Sequence, residues 1–293
     1  MTAIPFCKFH GFGNDYIVIE RADIPAATDL SDLAKAICHR YTGAGSDGIA
    51  VLVRTGSSIS SSNRIPESHD ADYNCEIVNP DGSIAGFSGN GTRCAVAYLY
   101  YKGLWTETDL RLKTRSGIKN YHLIKKDGGE FWFEAEIGKP QFSSEDVPVL
   151  TGIRRDHVIN EPIIVNGQHY SFSAINVGNP VACIFVDNFD FDWRTVGHAM
   201  ETNEKFPERA NIVVVKVNDS ENIELRIWER GAGETSASGT CSSAAAVLSA
   251  FMLKTARKVQ VHSPGGITEV LWRNDDEIVI TGRADLAYSG EWP

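Results

Sequence analysis

The sequence predicts an α+β fold of two pseudo-symmetric halves, each a curved, mostly antiparallel sheet around a central helix, with a cleft between the halves. Three observations carry this. The stretch from Asn79 through Ser88-Gly89-Asn90-Gly91-Thr92-Arg93 to Cys94 is echoed without a gap by the stretch from Glu229 through Ser238-Gly239-Thr240 to Cys241 and Ser243. Each stretch runs from a Gly-containing turn into an Ala-rich, apolar segment of helical character, residues 94–100 and 244–250. Around these two segments, short apolar runs bounded by Gly, Asn and Pro recur in the same order, so helices are few and strands many.

In chain order, Phe6 to His10 reads as a strand, Gly11 to Asp15 as a Gly-rich turn, and Tyr16 to Glu20 as a buried strand. Leu30 to Arg40 has the pattern of a short amphipathic helix opened by Asp29 or Ser31. Residues 43–48 form a turn into the strand Ile49 to Val53. Residues 55–73 are Ser-rich, polar and aperiodic, and read as a surface loop. Cys75 to Val78 is a strand that runs into the first repeated stretch; the helix after Ser88 stops at Gly103; Leu110 to Lys113 is a strand.

The second half repeats this plan. Gly178-Asn179-Pro180 precedes the strand from Val181, as Gly13-Asn14-Asp15 precedes Tyr16. A helix over Trp193 to Met200, strands over Ile212 to Val217 and Leu225 to Trp228, the helix after Ser238 and the strand from Val259 follow. The tail from Thr281 reads as a last strand and an irregular end. This places one half at residues 1–135 with 283–293 and the other at 136–282. A cleft between related halves is a favoured place for a small-molecule site.

Composition narrows the function. A net charge of −10 disfavours a nucleic-acid or anionic-membrane partner. No apolar run is long enough to span a bilayer, and the first residues lack the basic and apolar regions of a secretory signal. The six cysteines, Cys7, Cys38, Cys75, Cys94, Cys183 and Cys241, form no C-x-x-C pair, which points to free thiols in a reducing cytoplasm and away from zinc.

Each repeated stretch ends at a helix start. The first backbone N–H groups of a helix have no internal partner and sit at the positive end of its dipole, so a carboxylate is their natural guest. Ser is a favoured N-cap, and the adjoining Gly lets a ligand approach the backbone. Two such ends around one carboxylate, with Ser88 and Ser238 on opposite faces of the neighbouring carbon, is the geometry of two-base racemisation.

Taken together, His10 to Asp15, Gly89 to Cys94, Gly178-Asn179-Pro180, Phe206 to Asn211 and Glu229 to Thr235 resemble the diaminopimelate epimerase family, in one order from about Phe6 to Gly282. The resemblance implies a duplicated α/β fold, a small-molecule amino-acid substrate, no pyridoxal phosphate or metal, and a homodimer. It implies that the protein interconverts LL- and meso-diaminopimelate in lysine and peptidoglycan precursor biosynthesis. It also implies that Asn14, Asn79, Asn179, Asn211, Glu229 and Arg230 hold the distal head or the reacting ammonium. Gly89, Asn90, Gly239 and Thr240 would hold the reacting carboxylate, and Ser88, Ser238 and Glu229 would stand at the proton-transfer positions.

The sequence departs from the family at the chemistry. The family's two catalytic thiols fall at Ser88 and Ser238, and the His after its Gly-Asn-Pro motif is Val181. A thiol ionises near pH 8.5, whereas an alcohol is closer to water at about 15.7. That gap of roughly seven units is about 9 to 10 kcal/mol, and a helix dipole contributes no more than about 2 kcal/mol. A Ser base therefore needs a group to take its proton, and Glu229 is the candidate. Three readings stay open: a natural variant with altered proton chemistry, a double Cys-to-Ser form that traps substrate, and a binder of diamino dicarboxylates without turnover. A single-base isomerase or lyase using Glu229 is a further relative. Cys94 and Cys241 are expected to pack inward as small apolar residues.

Overall fold

The computed structural model describes residues 3–56, 70–86 and 88–293. The chain divides into two compact units, Met1–Ala135 with Gly282–Pro293, and Glu136–Thr281. Most of the stretch read as a polar surface loop, residues 57–69, lies outside the described residues.

The first unit opens on the hairpin β1 (Ile4–Gly11) and β2 (Asn14–Glu20). Its two-residue turn holds Phe12 and Gly13 at φ 55° and 87° and sets Gly11 opposite Asn14. Both turn residues at positive φ match the right-handed twist of the strands they join. Helix α1 (Leu30–Ile37) follows, capped by Asp29, whose side chain accepts from Ser31 N and Asp32 N. It ends before Arg40, shorter than its periodicity suggests, because Arg40 turns to ion-pair with Asp15 and Asp47. Strands β3 (Ile49–Arg54), β4 (Tyr73–Val78) and the short β5 (Ile84–Ala85) lead to helix α2 (Gly89–Tyr101). Strands β6 (Asp109–Thr114), β7 (Gly117–Asp127) and β8 (Glu130–Gly138) complete the run.

In this unit β2 and β3 are parallel, as are β4 and β6; the other neighbours with a defined register are antiparallel. The last strand, β17 (Ile278–Trp292), pairs with β8 and with β1, which closes the sheet on itself. The tail is therefore not irregular: it is a strand through Trp292, in register with Ile4. Inside the ring lies α2, where every residue from Asn90 to Tyr100 is buried. A helix buried on all sides is stable only where other elements surround it.

The second unit repeats the plan with β9 (Val158–Val165), β10 (Gln168–Asn176), β11 (Pro180–Val186), α3 (Trp193–Glu201), β12 (Asn211–Val217), β13 (Asn222–Glu229), β14 (Gly233–Thr235), α4 (Gly239–Phe251), β15 (Lys258–Ser263) and β16 (Gly266–Trp272). The pairing β10–β11 is antiparallel, β11–β12 parallel, β12–β13 antiparallel, β13–β15 parallel and β15–β16 antiparallel. That is the order and sense of β1–β2, β2–β3, β3–β4, β4–β6 and β6–β7. Helix α4 is the counterpart of α2 and is likewise buried, from Cys241 to Ala250. Each unit is thus a mostly antiparallel sheet around one central helix.

Candidate active site

The repeated stretches do the same local work in both units. In the first, Asn79 follows β4 and closes the turn to β5: its N donates to Ser83 O at 2.8 Å and its Nδ2 to Ser83 Oγ at 2.9 Å. In the second, Glu229 ends β13 and pairs with Gly233 across the turn to β14. Nine residues later in each unit comes the Ser that precedes the central helix.

The two serines are used differently. Ser88 caps α2, accepting from Gly91 N at 3.1 Å, and donates to Tyr16 Oη at 2.9 Å. Ser238 holds the same backbone position before α4 but makes no cap hydrogen bond. Its Oγ instead donates to Glu229 Oε1 at 2.7 Å and lies 3.4 Å from Thr240 Oγ1. The expectation that both serines cap is corrected here: the Ser238 side chain is aimed at Glu229, and its charge-assisted hydrogen bond to that carboxylate is of the stronger kind. Ser88 is half-buried and Ser238 buried.

Around Ser88 the polar side chains form one chain. The buried Arg93 donates from Nη1 to Asn90 Oδ1 at 3.0 Å. Asn90 Nδ2 donates to Asn14 Oδ1 at 3.2 Å, and Asn14 Nδ2 to Asp47 Oδ2 at 2.8 Å. Asp47 and Asp15 then share Arg40, and Lys8 sits 2.7 Å from Asp15. Burial raises the Asp15 carboxyl, but the hydrogen bonds from Arg40 and Lys8 outweigh it and hold it below the usual range. Asn14 and Asn90 are therefore oriented by charged groups behind them. Burial pushes the Arg93 guanidinium down from its ordinary value, and a Cβ at Gly282 would stand 2.7 Å from Arg93 Cζ, so Gly282 makes room for it.

Around Ser238 the turn after Glu229 is clamped from behind. Asn211 Oδ1 accepts from Arg230 N at 2.8 Å, and Glu201 Oε1 accepts from Gly231 N at 2.9 Å. Glu201 also takes Trp228 Nε1 at 2.8 Å. The Arg230 Nη1 donates to Glu208 O. Asn179 lies in the turn between β10 and β11, and its Oδ1 is buried without a partner among the described residues. Gly89 and Gly239 are the first residues of α2 and α4, and at Gly239 a Cβ would stand 3.3 Å from Ile280 Cδ1.

The thiols stay out of this chemistry. All six cysteines are free and buried. Burial pushes Cys94 and Cys241 well above the ordinary thiol range, and the Glu229 charge pushes Cys241 further, although Ser238 and Thr240 hydrogen-bond to it. Both are protonated, and Cys241 packs beneath the start of α4. Among the described residues no group of three or more His, Cys, Asp and Glu side chains could hold a metal ion.

Sequence reasoning missed Tyr16, Glu201 and Asp47. Tyr16 read as one apolar member of a strand, and only the glycines at 48 and 91 could have pointed to it: a Cβ on either would stand 2.8 Å from Tyr16 Cε1. Val181 follows Gly178-Asn179-Pro180 as Tyr16 follows Gly13-Asn14-Asp15, so the two occupy matching places, and Val181 is fully buried. The helix-start hydroxyl thus has a phenol from the second strand in one unit and a carboxylate from the fourth-strand turn in the other.

Two duplicated sheets, each wrapped on a buried helix, define the fold. The same fold is found in a hydroxyproline epimerase from Agrobacterium vitis, at a TM-score of 0.68 and 14% identity over 99% of this chain and 91% of that one. It is found again in a methylitaconate-delta-isomerase, at 0.60 and 12% over 99% and 95%. The family model described as diaminopimelate epimerase matches residues 6–143 and 173–287. The diaminopimelate epimerase of Caldanaerobacter subterraneus subsp. tengcongensis is 36% identical over 98% of both chains, and that of Desulfitobacterium hafniense 34% over 97% of this chain and 96% of the other. The chain belongs to the diaminopimelate epimerase family.

Proposed function

We propose that the protein interconverts LL- and meso-diaminopimelate by moving the α-proton between Ser238 and Ser88. The observation that carries this is the Ser238 hydroxyl donating to Glu229 Oε1 at 2.7 Å. As Ser238 Oγ takes the α-proton, its own proton passes to Glu229, so no free alkoxide forms and the penalty of about 9 to 10 kcal/mol is avoided. A carboxylate is a modest proton acceptor, and it acts here as a positioned general base through the Ser238 hydroxyl.

Ser88 supplies the proton on the other face, which two-base transfer requires. The free N–H groups at the starts of α2 and α4 would hold the reacting carboxylate and stabilise charge that develops on it. Asn90, held by Arg93 and Asn14, and Thr240 would add side-chain hydrogen bonds. Asn79, Asn179, Asn211 and Arg230 suit a second zwitterionic head; the unpartnered Asn179 Oδ1 supports this, because a buried acceptor without a partner costs about 1 to 3 kcal/mol until a ligand donates to it.

On this reading the enzyme needs no pyridoxal phosphate, works as a cytoplasmic homodimer and serves lysine and peptidoglycan precursor synthesis. Its all-oxygen pair makes it slower than a thiol enzyme. Incubation with LL-diaminopimelate followed by chiral chromatography tests the proposal: meso isomer should accumulate in proportion to enzyme. Tight binding with no isomer formed would instead establish a binder with the same site.

A further inference from the structure

The first unit has an amide where the second has a carboxylate. The position that carries Glu229 in the second unit carries Asn79 in the first, and Asn79 turns its side chain to Ser83. What stands beside Ser88 is the Tyr16 hydroxyl at 2.9 Å, on a ring that is buried and confined by two glycines. A Cβ at Gly48 or Gly91 would collide with Tyr16 Cε1, and Gly91 is also the residue whose N–H Ser88 accepts. The ring and the hydroxyl are therefore fixed by the same helix start.

We infer that Tyr16 is the proton partner of Ser88, a positioning residue that acts through it, and that the two hydroxyls of the site are unequal by construction. The inference rests on the epimerase reading. When Ser88 gives its proton to the planar substrate carbon, a C–H bond forms and the Ser88 O–H bond breaks. The Ser88 O–H, which donates to Tyr16 Oη in this structure, turns to the substrate carbon, and the Tyr16 O–H turns to Ser88 Oγ; its proton moves across and leaves a phenolate. A phenol near pKa 10 gives up that proton about six units more readily than an alcohol. The proton removed from substrate rests on Glu229, and solvent then restores both groups, one losing a proton and the other gaining one. Ser238 with Glu229 is thus built to take a proton and Ser88 with Tyr16 to give one. The stereoisomer whose α-hydrogen faces Ser238 should exchange that hydrogen faster than its partner does.

The test is made on Ser88→Cys, with and without Tyr16→Phe, in the full-length protein. The rate at which the introduced thiol is alkylated by iodoacetamide is followed against pH by mass spectrometry of its peptide. The native thiols are buried and do not compete. A Tyr16 hydroxyl that donates to the thiolate lowers its titration midpoint, so removing it should raise the midpoint by about half a unit to one unit. Tyr16→Met, which also lacks a donor, should raise the midpoint likewise and does not depend on Tyr16→Phe folding. Equal midpoints in all three proteins would overturn the inference. With Ser88 in place, Tyr16→Phe should lower epimerisation by at least about tenfold while keeping hydrogen exchange of the isomer that faces Ser238. A parent protein that exchanges no hydrogen at all overturns the epimerase reading, and the thiol titration still decides Tyr16 on its own.

Discussion

Ser238 Oγ donates to Glu229 Oε1 at 2.7 Å and leaves the start of its own helix uncapped. A capping bond of this kind is worth about 1 kcal/mol, and Ser238 does not make it, whereas Ser88 both caps its helix and donates to Tyr16. Such a difference is expected where a side chain serves chemistry rather than the fold.

Glu229→Gln isolates that carboxylate. The amide keeps an oxygen for Ser238 to donate to but cannot take its proton. Exchange of the α-hydrogen and epimerisation should fall by about 10² to 10⁴, with diaminopimelate affinity by calorimetry changed only a few-fold. Unchanged turnover would remove Glu229 from the mechanism.

The double variant Ser88→Cys with Ser238→Cys should raise epimerisation by about 10² or more, because the helix starts that favour a thiolate are intact. Each single variant should do much less, since acceptor and donor act as a unit. If the double variant binds substrate but turns over no faster than the parent, the site has been rebuilt for other work.

Substrate choice follows from the second polar head. Diaminopimelate should bind, whereas alanine and proline should bind at least about a hundredfold more weakly, because the buried Asn179 Oδ1 would be left unpaired. Equal affinities by calorimetry would contradict the assignment of Asn179 to the distal head.

Glu201 ties the turn that carries Glu229 to the fold. Burial raises its carboxyl, but hydrogen bonds from Trp228 Nε1 and Gly231 N together with Arg209 outweigh this and hold it below 4.5. The stability it contributes is therefore complete above about pH 4.5 and is lost as pH falls through the folded value. Thermal unfolding should show Glu201→Gln losing stability at neutral pH, and the gap to the parent narrowing as pH falls through the lowered folded value. Glu201→Ala should cost about 1 kcal/mol at neutral pH by removing the hydrogen bonds from the half-buried Trp228 Nε1 and from Gly231 N.

The duplication is legible in the sequence because it rests on local chemistry that leaves a trace: a turn, a Ser-Gly pair and a helix without a polar face, twice. The strands β7, β8 and β9 leave less of one. Residues 119–136 carry Lys and Glu at many outward positions, and only Tyr121, Phe131, Phe133 and Ala135 mark the buried side. The tail reads as irregular because its pairing partner, β1, lies at the other end of the chain. At the site, sequence spacing points to the serines and to Glu229 as a group. It cannot say that Ser238 prefers Glu229 to its own helix, that Tyr16 turns its hydroxyl to Ser88, or that Glu201 reaches Gly231, since each depends on which of two available partners wins in three dimensions.

The most direct measurement is the fate of the α-hydrogen in heavy water. LL- and meso-diaminopimelate are incubated separately with the protein in deuterium oxide, and each isomer is recovered and weighed by mass spectrometry. The account predicts deuterium in the product isomer in both directions, and faster wash-in to the starting isomer whose α-hydrogen faces Ser238 and Glu229. Recovery of both isomers unlabelled and unconverted, with binding intact, would contradict it.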